Sequence, residues 1–474
     1  MPEPPLLPGR PVVGSLAEVN RDFLGTLVRT AREVGPLARI ICGPPGWRET
    51  LYLVSSPALA EQVLMDPELF TKDEPGYRQI FQIFGDTMLT SEGAAWVRHR
   101  RLLAPLFTRR RIASTYVSLF TEQLAPLVAR WREAAVSGAT VEVHPEMVSL
   151  ASRTIGRILF GSEMTAAESL RDAVDTANEE MLRRTVSPHP LPLAVPTPAN
   201  RRMTAALAQV RSMVAGLVAD RLAHPHQGGQ DMLSILLSPG GDQSADDAGG
   251  DPLDAGEVAG QVLTFWLAGH DTTATSLTCT LLLLAQHPDW QERVAEEADR
   301  VLGGRAVTGA DLPQLVWTDR VVRESMRLHS ASHSIGRSPA RDTVLGGYRV
   351  PAGASIVVSP YALHRSPEVW ERPDDFDPGR FAVPADQRPG GSRYAWIPFG
   401  AGPHTCVGIQ LALAEVTVAV ATICQQLTLT TELETVPVEA ALTLHPVGRL
   451  ELTPHLRSRR QVGACSTVLP AAPS

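Results

Sequence analysis

The alternation of apolar and polar residues predicts a β-rich start followed by a long helical region. Residues 36–55 contain two β-rich runs on either side of a Gly-Pro turn, a pattern typical of a hairpin. From about residue 57 to residue 223, apolar side chains recur with helical spacing. The segment 225–252, rich in Gly, Asp and Pro, interrupts these helices and is predicted to be a flexible loop.

Apolar periodicity resumes after this loop and predicts helices at about 257–286, 288–302 and 317–328. At 1.5 Å per residue, the first of these helices would be roughly 45 Å long. Short strands are predicted within 342–360, another helix directly after Cys406, and a hairpin in 442–454. The predicted fold class is therefore mainly α with small β-sheets (α+β). We expect one domain over residues 1–474, with a disordered tail at 460–474.

Composition narrows the classes of partner and compartment. A chain of 474 residues with 44% apolar residues can bury a large core. Its formal net charge of −8 argues against a nucleic-acid partner. The five cysteines are widely spaced without a CxxC pair, which indicates a reduced, cytoplasmic protein. No signal peptide or membrane anchor is predicted, and the longest apolar run, 276–285, is too short to span a bilayer.

The candidate chemistry begins with the stretch FGAGPHTCVG, residues 399–408. Most cysteines in apolar surroundings are inert core residues, but here three glycines surround Cys406 and a predicted helix starts just after it. The unpaired amides of that helix would stabilise a thiolate. Zinc would need several further ligands, and His404 alone does not provide them, whereas haem iron needs one protein ligand from this side.

The pattern Phe399-x-x-Gly402-x-x-x-Cys406-x-Gly408 resembles the haem-binding signature of the cytochromes P-450, the haem-thiolate monooxygenases. The resemblance implies that Cys406 is the axial ligand of haem b (iron protoporphyrin IX) and that Phe399 and Gly408 pack around it. It also implies the cytochrome P-450 fold, a triangular helical prism. The haem would lie between a long distal helix and the helix that follows the Cys406 loop.

A second motif, AGHDTT (268–273), lies in the middle of the long predicted helix. It could be an ordinary polar interruption, but Ala268 and Thr272 share one helix face. A Thr272 hydroxyl that bonds back to a carbonyl would open a groove wide enough for dioxygen, the co-substrate. In the resembling family this acid-alcohol pair delivers protons on the distal side of the haem. The resemblance therefore assigns Asp271 and Thr272 to catalysis and places Ala268 above the haem.

Charged residues elsewhere match structural positions of the family. Glu324 and Arg327, three apart on one helix, resemble with Arg380 a buried triad that holds the irregular stretch before the cysteine loop. Such a helical pair could equally be an ordinary surface contact. Four further residues match the family's contacts to the haem propionates or the haem itself: Trp96, Arg100, Arg337 and His404.

The substrate pocket is predicted from position in the resembling family. Its wall would be mostly apolar and would contain Phe81, Phe84, Phe265, Ala268, Ile335 and Val447. An apolar lining indicates a hydrophobic substrate such as a terpenoid, polyketide or fatty acid, and we expect a role in secondary metabolism. The chain departs from the family where prolines are usual, since it reads HSASHSIGR at 329–337, and this segment adds serines and histidines near the pocket.

The resemblance predicts a monooxygenase that takes electrons from NAD(P)H. No flavin- or iron–sulfur-binding segment is present, so a separate ferredoxin and ferredoxin reductase are the expected partners of a monomeric protein. The basic cluster Arg109, Arg110 and Arg111 could dock an acidic ferredoxin or simply be solvated. Two alternatives stay open at this point, namely a haem-binding sensor or carrier without catalysis and a peroxide-driven haem enzyme.

Overall fold

The computed structural model describes residues 1–161, 191–224, 231–237, 253–384, 387 and 391–457. Its helices are Leu16–Arg21, Phe23–Glu33, Pro57–Met65, Pro75–Phe84, Gly93–Leu103, Arg109–Arg111, Val117–Ser137, Val143–Phe160, Pro198–Ala223, Met232–Leu237, Ala255–Gln286, Pro288–Leu302, Val316–Leu328, Pro360–Leu363 and Ile409–Gln426. Its strands are β1 (Leu37–Cys42), β2 (Glu49–Val54), β3 (Phe70–Thr71), β4 (Val141–Glu142), β5 (Ile335–Pro339), β6 (Thr343–Leu345), β7 (Tyr348–Val350), β8 (Ser355–Val358), β9 (Leu427–Thr430), β10 (Val438–Ala440), β11 (Leu444–Pro446) and β12 (Glu451–Leu456).

The main sheet has the strand order β1-β2-β8-β5-β3. Strands β1 and β2 pair antiparallel with Leu37 opposite Val54, which confirms the hairpin predicted at 36–55. Strand β8 joins β2 in parallel, with Leu51 opposite Ser355, so residues 304 positions apart in the chain share one sheet. Strands β6 and β7 form a separate hairpin. The mainly helical fold with small sheets is confirmed.

The hairpin predicted within 442–454 is wrong, because the two strands of this segment, β11 and β12, do not pair with each other. Strand β11 pairs with β10, while β12 pairs with β9 and β4 in a different sheet. A tight turn, in which the Ala441 N–H donates to the Thr443 carbonyl at 2.9 Å, makes β10 the nearest partner for β11. The alternation in 442–454 therefore belongs to two separate strands that lie in two sheets.

The segment 225–252 also differs from the predicted flexible loop. Residues Met232–Leu237 within it form a short helix that buries Met232, Leu233 and Leu236. Residues 225–230 and 238–252 of that segment and the predicted tail at 460–474 lie outside the described residues.

The long helix Ala255–Gln286, here called the central helix, starts in a capping box. Asp254 accepts from the Glu257 backbone N–H, and the Glu257 carboxylate accepts from the Asp254 backbone N–H. The helix has 32 residues and is apolar on most sides, so it is stable only when surrounded by other helices. Its closest neighbour is the helix Val143–Phe160, and a Cβ at Gly269 would lie 2.9 Å from Ile155 Cδ1. Glycine thus permits this close approach.

The helix Ile409–Gln426, here called the Cys-loop helix, follows the cysteine directly. Most of its side chains are buried in the core. Among the described helices it alone has the length and composition that could cross a bilayer, but 78% of it is buried within the protein. Core helices of soluble proteins have the same properties.

A buried ion-pair cluster fixes the irregular segment that precedes the cysteine loop. Arg327 Nε lies 2.7 Å from Glu324 Oε2, and Arg380 Nε lies 3.2 Å from Glu324 Oε1. The Arg327 guanidinium also donates to the carbonyls of His364, Pro373 and Asp375. The structure thus brings the three residues of the predicted triad together. Because each charge is satisfied, these hydrogen bonds can replace regular secondary structure in holding the segment.

Candidate active site

A cavity of about 2060 Å³ lies between the central helix and the cysteine loop and continues to the surface beside the helix Phe23–Glu33. It brings together most of the residues that were predicted as functional. Those lining it are Phe84, Trp96, Arg100, Phe265, Ala268, Asp271, Thr272, Ile335, Arg337, Phe399, His404, Cys406, Gly408 and Val447. Residues from distant parts of the chain therefore form one site.

The cysteine loop is shaped by its backbone. The Cys406 N–H donates to the Phe399 carbonyl at 2.9 Å, which closes the loop. Gly402 has a φ of +72°, and a Cβ there would lie 2.1 Å from the Leu64 carbonyl oxygen. Only glycine fits at this position, because both the backbone conformation and the space exclude a side chain.

Cys406 presents its side chain to the cavity. It is exposed there. Burial raises the pKa of the Cys406 thiol, while the N–H groups of Gly408 and Ile409 and the Arg100 guanidinium act in the opposite direction. A thiolate at this depth is therefore favoured when a metal cation binds it.

The donor set at Cys406 suits haem iron rather than a structural zinc ion. Within the described ranges, no three His, Cys, Asp or Glu residues lie together in a way that could hold a metal ion. Cys406 offers one sulfur ligand beside a large cavity, and haem iron requires one protein ligand on that side.

A cluster of cationic and hydrogen-bonding side chains lies next to the loop. The Trp96 and His404 rings are 4.4 Å apart between centroids, and Arg100 donates to the Thr405 carbonyl at 2.7 Å. Burial, followed by the charges of Lys72, Arg337 and Arg100, lowers the pKa of His404 to about 3. His404 Nδ1 is buried and has no hydrogen-bond partner among the described residues. This concentration of positive charge indicates an anionic ligand.

Lys72 belongs to this cluster and was missed in the sequence. It is 6% exposed, and its Nζ donates to the carbonyls of Leu89 and Ser91 at 2.8 and 3.0 Å. Burial and then the charge of Arg337 lower the pKa of Lys72 to about 7. The one available signal was that Lys72 is the only lysine in the chain. The residues around Cys406 thus fit a haem, whose two propionates would neutralise the cluster.

On the central helix, Thr272 donates its hydroxyl to the Ala268 carbonyl at 2.6 Å. This is the backward bond expected from the spacing of the two residues, and both line the cavity. The half-buried Asp271 accepts a hydrogen bond from the Thr443 hydroxyl through Oδ2. A buried carboxylate needs such a partner, and sequence reasoning did not identify Thr443.

The apolar wall contains Phe84, Phe265, Ala268, Ile335 and Val447, as predicted from position. Phe107 also lines it and stacks on Phe265 with 5.2 Å between ring centroids. Phe81 does not line the cavity and is 50% exposed.

Helix geometry explains the exception at Phe81. The helix Pro75–Phe84 turns Tyr77, Ile80 and Phe84 toward the cavity. Phe81 lies roughly 60° around the helix from Phe84, on the side away from Ile80. The structure therefore corrects this part of the predicted pocket.

The Ser/His-rich segment after the helix Val316–Leu328 mainly supports another part of the wall. His333 is buried, and its Nε2 lies 2.9 Å from the Ala441 carbonyl in the β10–β11 turn. Its Nδ1 lies 2.9 Å from Ser334 Oγ. Burial lowers the pKa of His333, so the ring is neutral at neutral pH. These polar atoms bond within the protein and hold the hairpin beside the cavity.

Glu415, on the Cys-loop helix, is a second functional candidate that sequence reasoning did not identify. It lines the cavity, yet it is buried and its Oε1 has no hydrogen-bond partner among the described residues. Burial raises the pKa of Glu415 to about 8, although a hydrogen bond with Thr154 opposes the shift. At neutral pH the side chain is therefore mostly a neutral acid.

Comparison with known proteins agrees with this geometry. A family model described as Cytochrome P-450 matches residues 4–449. The chain is 34% identical to cyclooctat-9-en-7-ol 5-monooxygenase of Streptomyces melanosporofaciens, over 83% of this chain and 82% of that protein. It is 32% identical to pentalenene oxygenase of Streptomyces avermitilis, over 94% and 95%. The crystal structure of a cytochrome P-450DA heme domain superposes with a TM-score of 0.83 at 27% identity, covering 96% of this chain and 98% of that one.

Proposed function

Because the chain belongs to the cytochrome P-450 family and is a monooxygenase of that family, we propose that it oxidises a terpenoid in secondary metabolism. The observation that carries this proposal is a single cysteine directed into a large cavity, one wall of which is apolar and consists of Phe84, Phe107, Phe265, Ala268, Ile335 and Val447. Such a wall favours a hydrocarbon skeleton, because it offers a large apolar contact area. Two of the similar Streptomyces proteins have names that refer to terpenoid substrates.

The residues around the cavity would have separate roles when haem b is bound. Cys406 would hold the iron, and Lys72, Trp96, Arg100, Arg337 and His404 would bind the propionates. Bound haem supplies the chemistry that activates dioxygen with two electrons from NAD(P)H. The protein supplies orientation, water exclusion and protons.

Proton supply is assigned to the central helix. The Thr272 hydroxyl, which now donates to Ala268, can accept a hydrogen bond from water and donate toward the cavity after a rotation about χ1. Asp271 lies next to it in sequence, and its half-buried carboxylate can take up a proton and pass it inward. Phe107 and Phe265 limit water near the substrate by covering the wall with stacked rings.

Electrons would come from a separate protein, and we propose a ferredoxin with its reductase. Arg109 and Arg110 are exposed beside the start of the Cys-loop helix, where Arg109 Nε donates to Gln410 Oε1 at 2.9 Å. A positive patch suits an acidic electron donor, because opposite charges speed the encounter, and a donor docked close to the cysteine has a short electron path to it. We also propose that the protein is a monomer and that it is cytoplasmic. The free thiols of Cys42, Cys279, Cys406 and Cys424 agree with a reducing compartment.

The decisive experiment combines a spectrum with a reconstituted reaction. The reduced, carbon-monoxide-treated protein should show the red-shifted Soret band of thiolate ligation. Terpene hydrocarbons and alcohols should then displace iron-bound water in a spectral titration and be oxidised with ferredoxin, ferredoxin reductase and NAD(P)H. Binding of fatty acids or polyketides in place of terpenoids would contradict the substrate class. Product formation that occurs with peroxide but not with ferredoxin, ferredoxin reductase and NAD(P)H would contradict the reductive mechanism.

A further inference from the structure

A polar cluster adjoins Asp271 and is not used by the mechanism above. His144 belongs to the helix Val143–Phe160, His445 to β11 and Asp271 to the central helix, and all three line the cavity. The rings of His144 and His445 are 5.3 Å apart between centroids and nearly perpendicular, at 84°. Three elements that are distant in sequence thus place two imidazoles and a carboxylate at one end of the cavity.

Two hydrogen bonds hold β11 against the central helix at this point. Thr443, two residues before His445, donates to Asp271 Oδ2. Thr275, one helical turn after Asp271, donates to the Leu444 carbonyl at 3.1 Å. Because these bonds lie on both sides of the strand start, His445 has a fixed position relative to Asp271.

The cluster also reaches solvent. Glu439 on β10 is directly opposite His445 in the β10–β11 register. Directly opposite residues in an antiparallel pair share one face, with Cβ atoms roughly 5 Å apart. Glu439 is exposed and His445 is partly exposed, and both line the same cavity as Asp271. Polar side chains therefore extend from the surface to the acid of the central helix.

We propose that Glu439, His445 and His144 form a proton relay that supplies Asp271 from solvent. The relay rests on the proposed function, because it has a purpose only if Asp271 and Thr272 deliver protons during oxygen activation. Each step moves one proton from an acid to a neighbouring base and changes no oxidation state. The cavity provides room for water between the groups. The three residues act through Asp271 and are positioning residues.

The charges around His144 suit this role. Burial lowers the pKa of His144 to about 4, the charges of His445 and His270 act in the same direction, and Asp271 opposes them. His144 Nδ1 lies 3.1 Å from Thr278 Oγ1, which leaves Nε2 for a second partner. At neutral pH His144 is therefore uncharged, so it can accept a proton on one nitrogen and release one from the other.

The test compares His445→Gln and His144→Gln with the control His287→Gln in the haem-loaded enzyme. His287 is the C-terminal cap of the central helix and does not line the cavity. With redox partners and substrate, both relay variants should form product with roughly three-fold lower yield per dioxygen consumed, and the loss should grow as pH rises. The control should match the wild type. Unchanged yields in both relay variants would overturn the proposal.

Hydrogen peroxide distinguishes proton supply from substrate placement. It carries both the two electrons and the two protons that dioxygen would need, so peroxide-driven product formation should be the same in wild type, His144→Gln and His445→Gln. An equal loss with peroxide would mean that the histidines shape the pocket instead, and would overturn the relay. A wild type without the red-shifted carbon-monoxide band would refute the proposed function itself.

Nuclear magnetic resonance of the imidazoles gives a readout that does not depend on turnover. His445→Gln should raise the pKa of His144, because it removes a neighbouring positive charge. If the titration of His144 does not move, the two histidines are not coupled and the relay is wrong.

Discussion

The loop 398–408 and the helical segment 268–280 both border the cavity, but different parts of the chain hold them in shape. Backbone geometry holds the loop, through positive φ values at Gly400 and Gly402 and the bond from the Cys406 N–H to Phe399. Side-chain hydroxyls shape the helical segment instead. Replacement of a loop glycine should therefore destabilise the structure, whereas replacement of a helix hydroxyl should impair the chemistry.

The hydroxyl bonds of the helical segment form a regular series. Thr272, Ser276 and Thr280 each donate to the carbonyl four residues earlier, at 2.6, 2.8 and 2.6 Å. Such bonds compete with the helical N–H groups for the same carbonyls and let the helix bend or widen. The segment can change locally while the flanking helix stays in place, which suits a group that must move a proton.

Removal of the sulfur should have the largest effect. In Cys406→Ala the thiolate is lost but the Cys406 backbone bond to Phe399 can form as before, so the loop should keep its shape. We expect complete loss of the red-shifted carbon-monoxide band and of oxygenation, with little change in far-ultraviolet circular dichroism. A variant that retains the band would show that another residue binds the iron.

Gly402→Ala tests whether the shape of the cysteine loop depends on its backbone conformation. The added Cβ would meet the Leu64 carbonyl oxygen at 2.1 Å in a conformation with positive φ, so the free energy of unfolding should fall by roughly 3–5 kcal/mol. Chemical denaturation and haem content measure the effect.

The control is Gly216→Ala, where no atom lies within 4 Å of the new Cβ in the middle of a helix. That change should stabilise the protein by up to about 1 kcal/mol. Equal changes in the free energy of unfolding at both positions would contradict the claim that backbone geometry holds the loop in shape.

Thr272→Ala should show the opposite behaviour. The helix loses only a backward bond to Ala268, so the free energy of unfolding and the carbon-monoxide spectrum should be nearly unchanged. Product formed per dioxygen consumed should fall roughly ten-fold, with peroxide released in its place. The conservative variant Thr272→Ser keeps the hydroxyl and should recover most of the coupling. Full coupling in Thr272→Ala would remove this hydroxyl from proton delivery.

The same contrast explains how much could be predicted from the sequence. The cysteine loop and the helix Pro288–Leu302 depend on local residues, and both were located within a residue or two. The pairing of β11 with β10 and the contact of Thr443 with Asp271 depend on segments brought together by folding. Lys72 and Glu415 have no local motif, because their significance comes from burial beside distant groups. Phe81 was wrongly predicted to line the pocket, because only one face of the helix Pro75–Phe84 borders the cavity and Phe81 lies outside that face.

Glu415 belongs to the Cys-loop helix, but its ionisation, and not backbone geometry, should affect the stability of the protein. Its ordinary pKa is 4.5 and burial raises it to about 8, so between these values the folded protein binds more protons than the unfolded chain. The free energy of unfolding should therefore fall as pH rises through this window. Glu415→Gln keeps the shape without the charge, so its stability should exceed that of the wild type by about 1–3 kcal/mol at pH 8 and by little at pH 4.5. Urea unfolding at both pH values measures this. The matched change Asp271→Asn removes a half-buried carboxylate, so it should impair coupling but change the free energy of unfolding at pH 8 less than Glu415→Gln does. A larger change in the free energy of unfolding from Asp271→Asn than from Glu415→Gln would mean that the carboxylate of the helical segment, and not that of the Cys-loop helix, destabilises the folded protein.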